Sequence, residues 1–193
     1  MSAHAVINKP RSLNKRAATA PLTVSRPELL SNGSDSDFRH LVHGLLAFAA
    51  RLETVRGGFA RLIGLTPIQY TVLISVSHLE THGDVNVNAL ADHLQLSGAF
   101  VTIETGKLLK QGLLTKQQDR SDRRRVRLKT TAKARRLLRD LAPPQVAVND
   151  VLFEFLDAAA FRQLLALVDR MSACGNRAVG LLHYFAETRR NAS

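Results

Sequence analysis

Asp119-Arg120-Ser121-Asp122-Arg123-Arg124, followed at once by Arg125, puts four guanidinium groups and two carboxylates within seven positions. Guanidiniums present planar, bidentate donors suited to phosphates and base edges, and interleaved carboxylates can fix them by charge-assisted hydrogen bonds. The run belongs to a wider excess: residues 97–140 hold thirteen basic and four acidic groups, a net +9. Residues 1–36 carry +3, residues 37–96 carry −1 and residues 141–193 carry zero, so most of the chain's +11 lies in one stretch. A localised basic field is the electrostatic footprint of a polyanionic partner, nucleic acid foremost. The competing reading is a solvated basic face that binds nothing.

Other reactive side chains are sparser. His40 and His43 lie three apart, and His78 and His82 four apart. A four-residue step on a helix can bring two imidazoles to one metal, but no third ligand is evident, so zinc sensing stands only as an alternative. Cys174 is the single cysteine, which excludes an intrachain disulfide and a cysteine-rich zinc site. Its place in an apolar helical pattern predicts a buried structural thiol, with redox sensing the alternative. There is no glycine-rich phosphate loop, nucleophile–base pair or metal triad, so the sequence predicts neither an enzyme nor a cofactor. The 193 residues are 45% hydrophobic and 22% charged, with no apolar run near the roughly 20 residues of a membrane span and no apolar core in the first 36. A cytoplasmic protein with no membrane partner is expected.

The elements that must position these groups follow from periodicity. Residues 1–36, with Pro10, Pro21, Pro27 and Ser31-Asn32-Gly33-Ser34, have no sustained pattern and read as a mostly disordered basic arm. Its Lys9, Arg11, Lys15, Arg16 and Arg26 suit either contact with phosphates or a tail that aids solubility. From Asp35 or Asp37, Phe38, Leu41, Leu45, Phe48, Leu52, Val55, Phe59 and Leu62 recur at helical steps until Gly64. Thr66-Pro67 then caps and opens a second helix, running to about His82. After an extended Val85-Asn86-Val87, Asn88 is expected to cap a short helix, Ala89 to Leu94. Ser97 is expected to cap another, Ala99 to Gln111, which Gly112 stops. Two short helices joined by a tight turn form a helix-turn-helix, whose second helix can enter a major groove. Leu113–Gln118 and Arg125–Lys129 alternate like strands around the charged run, forming a hairpin wing. Thr130 or Thr131 opens a helix to Leu141 that Pro143-Pro144 should interrupt, and a last helical region runs from about Val146 to Arg189. Its apolar residues exceed what the module's core can take, so a second copy of the chain is the simplest cover. The fold class is mainly α with a small β-hairpin wing. Residues 65–141 form a winged helix-turn-helix, and residues 37–64 and 142–193 a helical dimerisation region.

Several pieces, in this order and spacing, resemble the multiple-antibiotic-resistance repressor (MarR) family of winged-helix transcription regulators. They are Leu65-Thr66-Pro67-Ile68-Gln69-Tyr70 through Leu73, Leu90-Ala91-Asp92-His93-Leu94-Gln95-Leu96-Ser97, Val101-Thr102, Leu108 to Leu114, and Asp119 to Arg124 running into Thr130-Thr131. The resemblance spans roughly residues 37–190. It implies a homodimer built from the first and last helices, a pseudo-palindromic operator, and release of the DNA by a small aromatic carboxylate or phenol. By the same resemblance Arg124 is the wing arginine that enters the minor groove and Asp122 the acid that steadies the wing, while Arg120, Arg123 and Arg125 suit phosphates. A guanidinium fits a narrow A·T-rich minor groove.

Ser97, Ala99, Phe100 and Thr102 match positions from which the family reads bases or grips phosphates, and Lys107 and Lys110 can reach the backbone. Ile103 stands where the family commonly has arginine, and Gly98 where a polar residue is common, which shifts specificity toward the wing and DNA shape. In the family the first two helices line the effector pocket, which makes His43, Phe48, Arg51, Arg56 and Tyr70 the candidates here. A solvated or interhelical arginine and a core tyrosine are the plainer alternatives. A constitutive architectural DNA binder without an effector is the alternative function.

Overall fold

The computed structural model describes residues 21–118 and 126–191. Six helices and one hairpin follow in order: α1 Ser36–Leu62, α2 Pro67–Leu79, α3 Val87–Leu94, α4 Gly98–Lys110, β1 Leu114–Gln118, β2 Val126–Thr130, α5 Ala132–Leu152 and α6 Ala158–Asn191. The expected class, mainly helical with a two-stranded wing, is what forms. The chain divides into two compact units at Thr54–Val55, within α1.

In the first unit, residues 21–35, expected to belong to an arm without structure, carry local structure instead. Pro27–Leu29 make one 3-10 turn, and Ser31 and Ser34 pair as an isolated bridge. The cause is Asp35, which is buried. Its Oδ2 accepts from the Thr23 amide and hydroxyl, both at 2.7 Å, and its Oδ1 accepts from Arg39 Nε at 3.0 Å. Arg39 Nη2 in turn donates to the Pro21 carbonyl at 2.7 Å. The Arg39 and Thr23 hydrogen bonds hold the Asp35 carboxyl well below the usual carboxylate range. A depressed carboxylate contributes stability that is present above its unfolded value, near 4, and is lost only as pH falls through the folded one. The clasp is therefore expected to survive acidification from pH 7 to 5. Asp35→Asn should open it at every pH in that range, read as faster amide exchange at Thr23.

The second unit is built around α2, whose Tyr70, Val72, Leu73 and Val76 are buried. Thr66 and Gln69 form a reciprocal capping box, with 3.2 and 3.3 Å bonds, and Pro67 occupies the first turn. Around it pack Phe59 and Ala60 from the end of α1, Leu90 from α3, Val101 and Leu108 from α4, Leu114 and Leu128 from the hairpin, and Ala134 and Leu141 from α5. Burying each of the larger side chains contributes about 1.5–3 kcal/mol. Two glycines at positive φ turn the chain where helices end: Gly64 and Gly112, both at +68°. After Gly112 the Leu113 amide reaches back to the Leu108 carbonyl at 2.9 Å, which closes α4 and starts the wing.

Three boundaries differ from the sequence expectation. Asn86, not Asn88, caps α3, its Oδ1 accepting from the Ala89 amide at 2.9 Å. Pairing of Val85 with Leu128 ends the extended segment there. Pro143 and Pro144 do not interrupt α5. They leave the Arg139 and Asp140 carbonyls without helical donors, but both residues are exposed, where solvent substitutes. Buried Leu141 and a 2.9 Å bond from Gln145 Nε2 to the Tyr70 hydroxyl hold the helix on either side. The helix breaks instead at residues 153–157, where Asp157 Oδ1 caps α6 by accepting from the Ala159 and Ala160 amides at 2.9 and 2.7 Å.

Candidate nucleic-acid interface

Helices α3 and α4 are joined by Gln95, in the left-handed region at φ 54°, then Leu96 and the cap Ser97. Gln95 Nε2 donates to the Asp92 carbonyl at 2.6 Å, a side-chain clasp that holds a turn usually given to glycine. Helix α4 packs against α2 and α3. Its inward face carries Val101, Glu104, Thr105 and Leu108, all buried. The outward face carries Ala99, Phe100, Thr102, Ile103 and Lys107, all exposed, with Ser97 exposed at its start. The structure thus brings Ser97, Ala99, Phe100, Thr102 and Lys107 onto one end and face of a single helix. Ser97 Oγ also accepts from the Phe100 amide at 3.2 Å, so it is a cap with its other lone pair free to face solvent.

Lys107 is less free than a phosphate contact would be. Its Nζ lies 2.7 Å from Glu104 Oε1. Glu104 Oε2 is buried with no hydrogen-bond partner among the described residues. A buried, half-satisfied carboxylate paired with a half-exposed lysine adds little stability and withholds one charge from solvent. Glu104→Leu is therefore expected to stabilise the fold by about 1 kcal/mol in denaturant titration.

The strands pair antiparallel, Leu114 opposite Thr130 through Gln118 opposite Val126. Leu128 points into the core, while Lys116 and Lys129 are exposed. The expected DNA-contacting Arg120, Asp122, Arg123, Arg124 and Arg125 lie outside the described residues, as do Lys9, Arg11, Lys15 and Arg16 of the arm.

The candidate effector residues separate. In the first unit His43 and Arg51 are exposed and Phe48 half-buried, with Arg51 Nη1 donating to the Ala47 carbonyl at 2.8 Å. In the second, Arg56 and Tyr70 are brought together. Arg56 is half-buried and hydrogen-bonds the Thr71 hydroxyl. Tyr70 is buried, edge-on to Phe59 at 6.2 Å between ring centroids. Burial pushes its phenol above the ordinary value, opposed by the Arg56 charge. Tyr70 is thus a core residue, the plainer of its two sequence readings.

The thiol expectation is overturned: Cys174 is exposed, with Arg177 Nη2 at 3.1 Å from its sulfur. None of the 34 residues of α6 is buried in the single chain. The periodicity gives α6 an apolar stripe, and the chain's own core does not cover it. The imidazoles of His78 and His82 have centroids 4.9 Å apart, and His93 lies 6.3 Å from His78. No cluster of three or more His, Cys, Asp or Glu suited to a metal occurs among the described residues. One feature went unseen in the sequence: an apolar cavity of about 530 Å³ at the α5–α6 junction, lined by Phe153, Leu156, Phe161, Leu164 and Val168. It depends on the break at 153–157, which helical periodicity from Val146 onward does not signal. No single helix among the described residues is long and apolar enough to cross a membrane.

Residues 63–125 match the profile of the MarR family. No curated protein matches the chain. Among solved structures, the transcription regulator MarR from Oenococcus oeni PSU-1 is similar with a TM-score of 0.57 at 21% identity, over 68% of this chain and 97% of that one. A MarR/EmrR family transcriptional regulator from Acinetobacter sp. ADP1 gives 0.61 at 18% identity, over 72% and 96%. CouR from Rhodococcus jostii RHA1, solved bound to p-coumaroyl-CoA, gives 0.59 at 22% identity, over 68% and 91%. At these identities the likeness is one of fold.

Proposed function

We propose that the chain is a cytoplasmic repressor that binds a pseudo-palindromic operator as a homodimer and is released by a small aromatic carboxylate or phenol, a reading supported by the match of residues 63–125 to the MarR family profile and by the fold it shares with MarR-type regulators. The observation that carries the DNA-binding half is α4: an exposed face of Ala99, Phe100, Thr102, Ile103 and Lys107 beginning at Ser97, within a stretch of net +9. Alanine, the threonine methyl and phenylalanine suit thymine methyl groups, while the serine and threonine hydroxyls suit base edges or phosphates. With one lysine paired to Glu104 and no arginine on this face, base readout by α4 is chiefly apolar. Arg124 is proposed to supply minor-groove contact, with Asp122 steadying the wing and Arg120, Arg123 and Arg125 on phosphates.

The homodimer reading is supported by α6. Phe161, Leu164, Leu165, Val168, Met171, Leu182 and Phe185 are exposed and recur at helical steps, with Gly175 and Ala178 continuing the spacing. So much apolar surface in water is unfavourable by about 25 cal/mol per Å² until a second copy covers it. The effector class is supported by Arg56, a half-buried guanidinium suited to a carboxylate, and by the fold shared with CouR, whose bound ligand carries a p-coumaroyl group. His43, Phe48, Arg51 and Tyr70 remain candidates, and Tyr70 would have to leave the core to stack on a ring.

Footprinting on the intergenic DNA upstream of the chain's own coding sequence tests the proposal. Two protected half-sites about one helical turn apart, released by one member of an aromatic-acid panel, are expected. Protection without defined edges, unaffected by the panel, would favour an architectural binder whose phosphate contacts carry no sequence information.

A further inference from the structure

We propose that Glu80 and Asp84, which lie between α2 and α3, are positioning residues for the β1–β2 wing, holding it at the angle that selective DNA binding requires. This rests on the DNA-binding reading above. Neither residue belongs to the helix-turn-helix or the charged run.

The segment 80–85 grips β2 at three places. At the root, one Glu80 carboxylate takes both donors of Thr130: Oε2 accepts from the amide at 3.0 Å and Oε1 from the hydroxyl at 2.5 Å. Arg135 Nη1, from α5, donates to the Thr130 carbonyl at 2.7 Å and also lies 3.3 Å from its hydroxyl. Thr130 is buried, and its amide, hydroxyl and carbonyl are all engaged. Two residues earlier the Leu128 amide donates to the Val85 carbonyl at 2.7 Å. At the next position Arg127 Nη1 lies 2.8 Å from Asp84 Oδ1.

β1 pairs with β2 in a two-stranded sheet, so whatever fixes β2 fixes the hairpin. Five paired residues span about 17 Å, and a tilt of about 10° at the root displaces the far end by about 3 Å. Recognition geometry tolerates about 0.5 Å. Side-chain clamps at the root therefore decide where the wing meets DNA, although they touch none themselves.

The sign of the effect separates positioning from charge. Two carboxylates beside a basic hairpin oppose attraction to phosphate, so by charge alone Glu80→Gln and Asp84→Asn should bind any duplex more tightly. Positioning demands the reverse for a selective site. The experiment measures affinity of the full-length wild type, Glu80→Gln and Asp84→Asn for a duplex from the upstream intergenic DNA and for a scrambled duplex of the same composition. Circular-dichroism melts check that each variant is folded, and the half-exposed Asp84 provides the variant least able to disturb the core. The expected result is a fall of about fivefold or more on the upstream duplex, with affinity for the scrambled one unchanged or raised. Folded variants that gain affinity on both duplexes together, or lose none on the upstream duplex, overturn the proposal. A wild type that does not distinguish the duplexes removes the DNA-binding reading and this inference with it.

Discussion

Leu182→Asp is expected to leave the protein monomeric and to abolish operator binding, although the residue lies on no DNA-facing element. Leu182 is 66% exposed on α6 in the single chain, on the same stripe as Leu165 and Phe185, so a carboxylate there does not disturb the chain's own core. In a two-fold dimer the same patch meets its copy, so the substitution places the charge in the interface twice. Each uncompensated buried charge costs about 3–5 kcal/mol, and about 1.4 kcal/mol is tenfold in an equilibrium constant. Dimerisation should weaken by well over a hundredfold. The operator would then be contacted one half-site at a time. Sedimentation velocity reads the first effect and fluorescence anisotropy the second, and Leu165→Asp should behave alike. A Leu182→Asp protein that still sediments as a dimer would show that the stripe is not the interface.

The second large effect is expected at Arg124. Arg124→Ala should weaken operator binding by about 1–3 kcal/mol, roughly five- to 150-fold, with no change in thermal unfolding or oligomeric state. Arg124 lies outside the described residues, and the expectation comes from its place in Asp122-Arg123-Arg124 and from the family resemblance that place carries. The strands to either side, Leu114–Gln118 and Val126–Thr130, pair antiparallel. A minor-groove arginine acts where the groove is narrow and A·T-rich. The loss should therefore be largest on the native site and smallest on G·C-rich duplexes of equal length. Equal losses on both would reduce Arg124 to a phosphate contact.

Local chemistry made much of the fold legible. Thr66-Pro67 and Ser97 act as the sequence indicates, and Thr131 is the one of two candidate threonines that caps α5, the three accepting from the Gln69, Phe100 and Ala134 amides. Gly64 and Gly112 stop helices at positive φ because the chain must turn there. Two of the differences originate in contacts made far along the chain. Asn86 displaced Asn88 as a cap because Val85 is tied to Leu128. Pro143-Pro144 failed to break α5 because Leu141 and Gln145 anchor it to the core and to Tyr70. Cys174 is exposed: helical periodicity identifies an apolar face without saying whose surface covers it.

The site divides the same way. Ser97, Ala99, Phe100, Thr102 and Lys107 share a helix, so their common exposure follows from a period of 3.6. Lys107 pairs with Glu104 across a three-residue step of the same helix. Glu80 and Thr130, fifty positions apart, leave no local trace, and only the folded chain brings them together.

The most direct test of the central claim is fluorescence anisotropy of the purified full-length protein on labelled upstream intergenic DNA, competed with unlabelled specific and scrambled duplexes at physiological salt. A selective regulator should require at least a thousandfold more scrambled than specific competitor for equal displacement. Equal displacement by the two competitors would contradict the claim, leaving a basic protein that holds phosphates without reading sequence.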